Sequence, residues 1–221
     1  MDPLLPDPAT TSVFLDFDGT ISTTDVGRYL LAALGAPEWW DLHLRYERGE
    51  IGSRELLVDQ WALISCPTDR ERLVAVANEV ALDPGTGPLV EALRAAGSEV
   101  SVISDGFGFY VEAACTPFDV DVITNAVDFS TGELVFPHQD RCCPCSTCGV
   151  CKQAPIKDAK YRKQTTVLVG DGTSDRKAAL LVDVLLAKDG LAAWCEETGL
   201  AFHRFATLND VRRLLLGGDD S

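Results

Sequence analysis

Asp16 and Asp18 stand one residue apart in the run Val13-Phe14-Leu15-Asp16-Phe17-Asp18-Gly19-Thr20. If the chain stays extended there, the two-residue period of a strand puts both carboxylates on one side. Two like charges that close repel each other unless they share a cation or one is protonated, and Mg²⁺, a hard oxygen-seeking ion, is the ordinary partner. Three further sites carry polar groups in similar settings. Ser104 ends the apolar run that starts at Glu99, Lys152 opens a helical stretch, and Asp171 and Asp175 lie in Gly170-Asp171-Gly172-Thr173-Ser174-Asp175 after Thr166–Val169. Each alone reads equally well as a helix cap, a solvated charge or a turn. Together they supply carboxylates for a metal, a hydroxyl, an ammonium and glycines for close backbone approach.

These groups need elements that bring them to one place. The short apolar run before Asp16 reads as a buried strand of a parallel sheet, and the carboxyl edge of such a sheet is where open α/β folds bind ligands. From Thr20 to about residue 82 the pattern is helical throughout. It predicts helices over Asp25–Leu34 with Gly35 as stop, one opened by Pro37, one capped by Ser53, and one with a Thr68/Glu71 capping box. Strand and helix then alternate: a strand Glu99–Ser104, a helix Phe107–Cys115, a strand Val120–Ile123, a hairpin over 126–136, a helix Pro155–Gln164, and the strand Thr166–Val169. Helix 175–182, strand 184–187, helix 190–198 and helix 207–216 complete the pattern. The expected fold is α/β, a Rossmann-like parallel sheet with helices on both faces. Residues 1–21 and 83–221 form the core, and 22–82 form a helical cap inserted after the first strand. Met1–Thr11, with Pro3, Pro6 and Pro8, reads as a loose lead-in.

The 221 residues carry a formal net charge of −15, which argues against a protein that works by neutralising nucleic-acid phosphates. A small phosphorylated metabolite is not excluded, because the field of the surface is screened within about 8 Å. Met1–Thr11 does not read as a signal peptide, and no apolar run in the sequence approaches membrane-spanning length. Eight cysteines without an export signal favour reduced thiols or metal ligands over a disulfide framework. The expectation is a cytoplasmic monomer or homodimer with no membrane or nucleic-acid partner.

Cys142, Cys145, Cys148 and Cys151 recur at intervals of three residues just before Lys152. Cys-x-x-Cys spacing suits structural Zn²⁺, yet four ligands from one ten-residue run would crowd a single ion. A disulfide or free thiols are the other readings of this loop.

Asp16-Phe17-Asp18-Gly19-Thr20, Ser104, Lys152 and Gly170-Asp171-Gly172-x-x-Asp175 resemble the four ordered motifs of the haloacid dehalogenase superfamily. The insert after the first motif resembles the cap of its phosphoserine-phosphatase-like branch. That resemblance implies a phosphatase in which Asp16 attacks phosphorus to form an aspartyl-phosphate. Asp18 would protonate the leaving alkoxide and then activate water. It implies Mg²⁺ held by Asp16, Asp18 through its backbone carbonyl, and Asp171, with Asp175 supporting it. Phosphate would be held by Ser104, Asp105, Gly106 and Lys152, with Lys157 and Lys160 as neighbouring lysines. Ser174 stands where the family often has Asn. The cysteines before Lys152 resemble both the methionine-salvage 2-hydroxy-3-keto-5-methylthiopentenyl-1-phosphate phosphatases and the phosphoethanolamine/phosphocholine phosphatases. The segment from Ala187 to Phe205 is closer to the first group, while Asp105 matches an acidic residue of the second that can face an ammonium. In the insert, Asp25 and Arg54 are the residues placed to reach substrate. Trp39, Trp40, Trp61 and Tyr46 read as core more than pocket.

Overall fold

The computed structural model describes residues 3–5, 7–139 and 147–217. The first strand, β1 (Thr11–Leu15), is buried along its whole length, as a strand covered on both faces must be. It is the middle strand of a seven-stranded sheet whose other members are β2 (Glu99–Phe107), β3 (Asp121–Asp128), β4 (Glu133–Val135), β5 (Thr165–Gly170), β6 (Val184–Ala187) and β7 (His203–Arg204). Their order is β4-β3-β2-β1-β5-β6-β7. Every pairing is parallel except the β3–β4 hairpin.

Alternate residues of the central strands feed two separate cores, as the pleat requires. Val13, Leu15, Val102 and Val169 pack on one face with α5 (Thr86–Ala95), α6 (Gly108–Cys115) and α10 (Leu208–Leu216). Phe14, Ile103 and Leu168 pack on the other with α7 (Gln153–Tyr161), α8 (Arg176–Ala179) and α9 (Asp189–Thr198). The sheet thus has helices on both faces, the α/β arrangement expected from the alternation in sequence. None of these helices is long and apolar enough to cross a membrane.

Four helices lie between β1 and α5: α1 (Val26–Leu34), α2 (Trp39–Glu47), α3 (Ser53–Trp61) and α4 (Arg70–Ala77). A backbone bridge between Ser22 and Leu82 draws together the two points where the chain leaves and rejoins the sheet layer, and another joins Gly35 to Ile64. Leu30, Leu31, Leu34, Trp61 and Leu73 of this insert are continuous with the first core.

The elements depart from expectation in ways with local causes. Asp69, not Thr68, caps α4 by accepting the Arg72 N–H. Gly52 precedes α3 in the cap position, because the Ser53 hydroxyl is engaged elsewhere. β3 runs on to Asp128, since β2 and β4 hold it on both sides. α8 shrinks to one turn after a tight turn over Thr173–Asp175. The two residues of β7 are too few to leave a pattern. Part of the lead-in is ordered: Leu4 and Leu5 N–H groups donate to Leu214 and Leu215 at 2.9 and 3.2 Å, and Leu5 is buried. Its prolines leave those two donors free for an extended pairing with the end of α10.

Candidate active site

β1, β2 and β5 end side by side, and β1 is where the strand order reverses direction. Chain leaving β1 and β5 passes to opposite sides of that point, opening a crevice at the carboxyl edge. Asp16 follows the last residue of β1 and Asp171 the last of β5. Ser104 lies in a stretch of β2 where the register with β3 shifts, between Ile103 and Phe107.

Lys152, immediately before α7, is buried with Nζ 2.7 Å from Asp16 Oδ1 and 2.7 Å from Asp175 Oδ1. Lys157, one turn on, is exposed and donates to Gln153; Lys160 pairs with Asp183 at the surface. Of the three lysines, Lys152 alone reaches the carboxylates. Carboxylate oxygens of Asp16, Asp171 and Asp175 lie within 4.8 Å of one another. Asp175 is held by the Asp171 and Gly172 N–H groups, Asp16 Oδ1 accepts the Phe17 N–H at 2.7 Å, and the Thr20 hydroxyl donates to Asp171 at 3.2 Å. Gly19 is required here twice over. Its φ is +75°, and a Cβ would fall 2.3 Å from Asp171 Oδ2.

Burial, reinforced by Asp175, pushes the Asp16 carboxyl well above the usual range, against the pull of Lys152. Burial and Asp175 likewise push Asp171 up to about 7. Burial alone would lower Lys152, but Asp16, Asp175 and Asp105 more than reverse that, so its ammonium stays charged. Three carboxylates facing one ammonium lack positive charge. At an effective dielectric near 20, each unit pair about 4 Å apart costs about 4 kcal/mol. An all-oxygen donor set with that deficit fits a hard divalent cation.

Asp18 stands apart from this group. Its Oδ1 accepts the Val26 N–H at 2.9 Å, and its Oδ2 accepts from Tyr110 at 3.2 Å and Ser104 at 3.4 Å. The side chain is therefore not a ligand of the carboxylate cluster, and only the backbone carbonyl remains for that role. Burial first, and Asp25 second, push its carboxyl up to about 7, the range of a group that can both give and take a proton.

Ser104 Oγ accepts the Gly106 N–H at 2.9 Å. Asp105, grouped with Ser104, Gly106 and Lys152 as a phosphate holder in sequence, has other partners. Its Oδ1 accepts the Val150 N–H at 2.6 Å, and the Ser53 hydroxyl bonds it as well. Burial raises its carboxyl against the pull of Lys152, and its hydrogen bonds fasten the start of α3 to the segment before Lys152.

Between the sheet edge and the insert lies a cleft of about 590 Å³. Asp16, Asp18, Asp171 and Ser174 form its floor, and Asp25, Arg28, His43, Tyr46, Leu56 and Leu57 its opposite wall. Burial and the nearby Arg28 lower the His43 imidazole, keeping it neutral. The insert is fastened over the floor at several points. The Thr173 hydroxyl donates to both Glu47 oxygens at 2.9 and 3.0 Å, the Arg54 N–H donates to the Thr147 carbonyl at 3.1 Å, the Gly149 N–H donates to Ser53 Oγ at 3.1 Å, and Trp61 Nε1 donates to the Gly132 carbonyl at 2.8 Å.

Asp25 reaches the cleft as expected, but the Arg54 guanidinium lies over the Phe136 ring at 5.3 Å, outside the cleft. Trp61 is packed against Phe107 and Phe109, while Trp40 is 46 % exposed. Of the cysteine ladder, Cys142 and Cys145 lie outside the described residues. Cys151 is buried, and Cys148 Sγ is 3.3 Å from Lys177 Nζ.

Tyr46, expected in the core, lines the cleft, and Thr20, Glu47, Tyr110 and Thr173 are residues of the site to which the sequence reading assigned no role. Thr20 and Thr173 sit inside the motifs themselves, and Tyr110 lies six residues after Ser104 on one continuous segment. Tyr46 and Glu47 carry no such signal, since on α2 they look like any helix face.

The sequence profile described as haloacid dehalogenase-like hydrolase matches residues 13–180. The chain is 28 % identical over 208 residues to a Brevibacillus brevis protein named 2-hydroxy-3-keto-5-methylthiopentenyl-1-phosphate phosphatase, covering 92 % of this chain and 94 % of that one. It is 26 % identical to a protein of the same name from an Exiguobacterium species, covering 94 % and 98 %. Among solved structures, a phosphoserine phosphatase from T. onnurineus superposes with a TM-score of 0.71 at 20 % identity, over 97 % of both chains. A phosphoserine phosphatase in a phospho-aspartyl intermediate analogue form superposes with 0.73 at 17 %, over 91 % and 97 %. At these identities the structures speak to the fold.

Proposed function

The chain belongs to the haloacid dehalogenase-like hydrolase family, and from that premise we propose that it is a Mg²⁺-dependent phosphatase of a small organic phosphomonoester. The observation that carries this reading is the buried Lys152 between Asp16 and Asp175, with Asp171 beside them, at the point where the strand order reverses.

Bound among Asp16, Asp171 and the Asp18 carbonyl, with Asp175 behind them, Mg²⁺ would neutralise the carboxylates and the incoming phosphate. The Asp16 carboxylate attacks phosphorus, and the bond to the leaving oxygen breaks as Asp18 gives that oxygen its proton. Asp18, now ionised, takes a proton from water as the water attacks phosphorus and releases Asp16. Ser104, Lys152 and the Gly106 N–H hold the phosphoryl oxygens, and Lys152 offsets the charge that shifts onto them. Helices α1–α4, as a cap over residues 22–82, exclude water from the first step.

The substrate proposed is the methionine-salvage ketone phosphate named in the relatives. Leu56, Leu57 and Phe107 give the cleft an apolar side for a thioether. Asp105, the residue that pointed to an ammonium substrate, is spent on Val150 and Ser53. For Cys142, Cys145, Cys148 and Cys151 the readings are a structural zinc clip, a disulfide or free thiols, which metal analysis and thiol titration of the purified protein separate.

The test is phosphate release from a panel of the ketone phosphate, phosphoserine, phosphoethanolamine, phosphocholine and glycerol phosphate, with Mg²⁺ and with EDTA. Release that needs Mg²⁺, is fastest on the ketone phosphate and vanishes in Asp16→Asn is the expected result. Release only when an acceptor alcohol is added would identify a phosphotransferase instead.

A further inference from the structure

Tyr110 lies in the first turn of α6, directly after the part of β2 that carries Ser104 and Gly106. It is only 5 % exposed. Its ring packs 5.8 Å from Phe17 and edge-on to Phe109 at 5.1 Å. A phenylalanine would fill that space without the cost of burying a hydroxyl, which must find a partner. The partner is Asp18 Oδ2, 3.2 Å away. Gly106 leaves the passage open, since a Cβ there would come within 2.2 Å of the Tyr110 oxygen and 2.7 Å of Asp18 Oδ2.

We propose that Tyr110 is a positioning residue for the acid–base step: its hydroxyl fixes the plane of the Asp18 carboxyl so that the proton is presented to the leaving oxygen. This rests on the phosphatase reading above. A carboxylate has about four acceptor sites. The Val26 N–H takes one on Oδ1, Tyr110 takes one on Oδ2, and Ser104 makes the longest of the three contacts. With one donor on each oxygen, rotation of the carboxyl is blocked. When the ester bond to phosphorus breaks as the bond from Asp16 forms, the proton at the open site of Asp18 passes to the alkoxide. In the second step the same site accepts the proton of water.

The role predicts a dependence on leaving group that a structural role does not. In Tyr110→Phe the ring and its packing remain, and only the hydroxyl is lost. With an alkyl phosphomonoester, whose alkoxide must be protonated, kcat/KM falls ~10–100-fold, part of the ~10²–10⁴ that general acid catalysis supplies. With p-nitrophenyl phosphate, whose phenolate leaves unaided, kcat/KM, which reports the first step alone, falls less than about threefold. In an Asp18→Asn background the Tyr110→Phe change has no further effect on either ester. An equal loss on both esters, or no loss on the alkyl ester, overturns the assignment while leaving the phosphatase reading intact. A wild-type protein that hydrolyses neither ester overturns both.

Discussion

Lys152 Nζ sits 2.7 Å from Asp16 Oδ1 inside the core, and the same ammonium is 2.7 Å from Asp175 Oδ1. One cation therefore holds two buried carboxylates in fixed relation. Lys152→Ala removes the only ammonium within salt-bridge distance of these two among the described residues. Breaking a buried ion pair from one side costs about 3–5 kcal/mol. The expected outcome is loss of turnover together with a lower denaturant midpoint. Lys157→Ala, on the exposed face of α7, leaves both unchanged, and a reversed pattern between the two variants would reassign the lysine.

Two buried carboxyls of the site, one inside the cluster and one beside it, set how stability changes with pH when no metal is bound. Asp18 and Asp171 are raised from an ordinary value near 3.8 to about 7. A raised carboxyl binds its proton more tightly in the folded chain, so its stabilising effect is complete below about pH 4 and is lost as pH rises through 7. In EDTA the melting temperature should fall between pH 5 and pH 8, reflecting a few kcal/mol of lost stability. Mg²⁺ should raise it more at pH 8 than at pH 5. A flat profile in EDTA would contradict the burial of these two carboxyls.

Glu47 is the contact through which α2 reaches the loop that carries Asp171 and Asp175. It accepts from Thr173, and Arg176 lies 3.9 Å away, in a partly exposed setting. Exposed pairs of this kind contribute about 0–1 kcal/mol. Glu47→Ala should accordingly leave the melting temperature nearly unchanged while lowering kcat/KM several-fold, as the insert closes less completely over the floor. Steady-state kinetics beside thermal melts separate the two effects.

Gly106→Ala tests the crowding around the acid. Its Cβ would collide with the Tyr110 oxygen and Asp18 Oδ2, both backed by packed neighbours. Overpacking of this kind costs about 1–3 kcal/mol, and the displacement of Asp18 should reduce turnover by more than the loss of stability alone would do. Kinetics at a temperature well below the melting point read the difference.

Much of the site could be read from the chain because its motifs are local. Asp16 with Asp18, and Asp171 with Asp175, each lie within a few residues at the end of a strand, where apolar runs and glycines announce the turn. Lys152 could be singled out but not separated from Lys157, because one turn of helix offers both and only burial decides. Asp105 is harder to read for the opposite reason. It lines the cleft with its neighbours in sequence, but its hydrogen bonds go to Ser53 and Val150, 52 and 45 residues away. Tyr46, Glu47 and Tyr110 lie on helices whose surface patterns mark no site.

The α/β class, a helical run after the first strand and four polar groups at the ends of elements are legible in the chain alone, because strand burial, helix period and turn chemistry are short-range properties. Which lysine meets Asp16, that Asp18 faces Tyr110 rather than the carboxylate cluster, and which residues of α1–α4 line the cleft are settled by the folding of the whole chain. Those outcomes depend on where a parallel sheet brings distant strand ends together, and on which side chains that meeting strips of water.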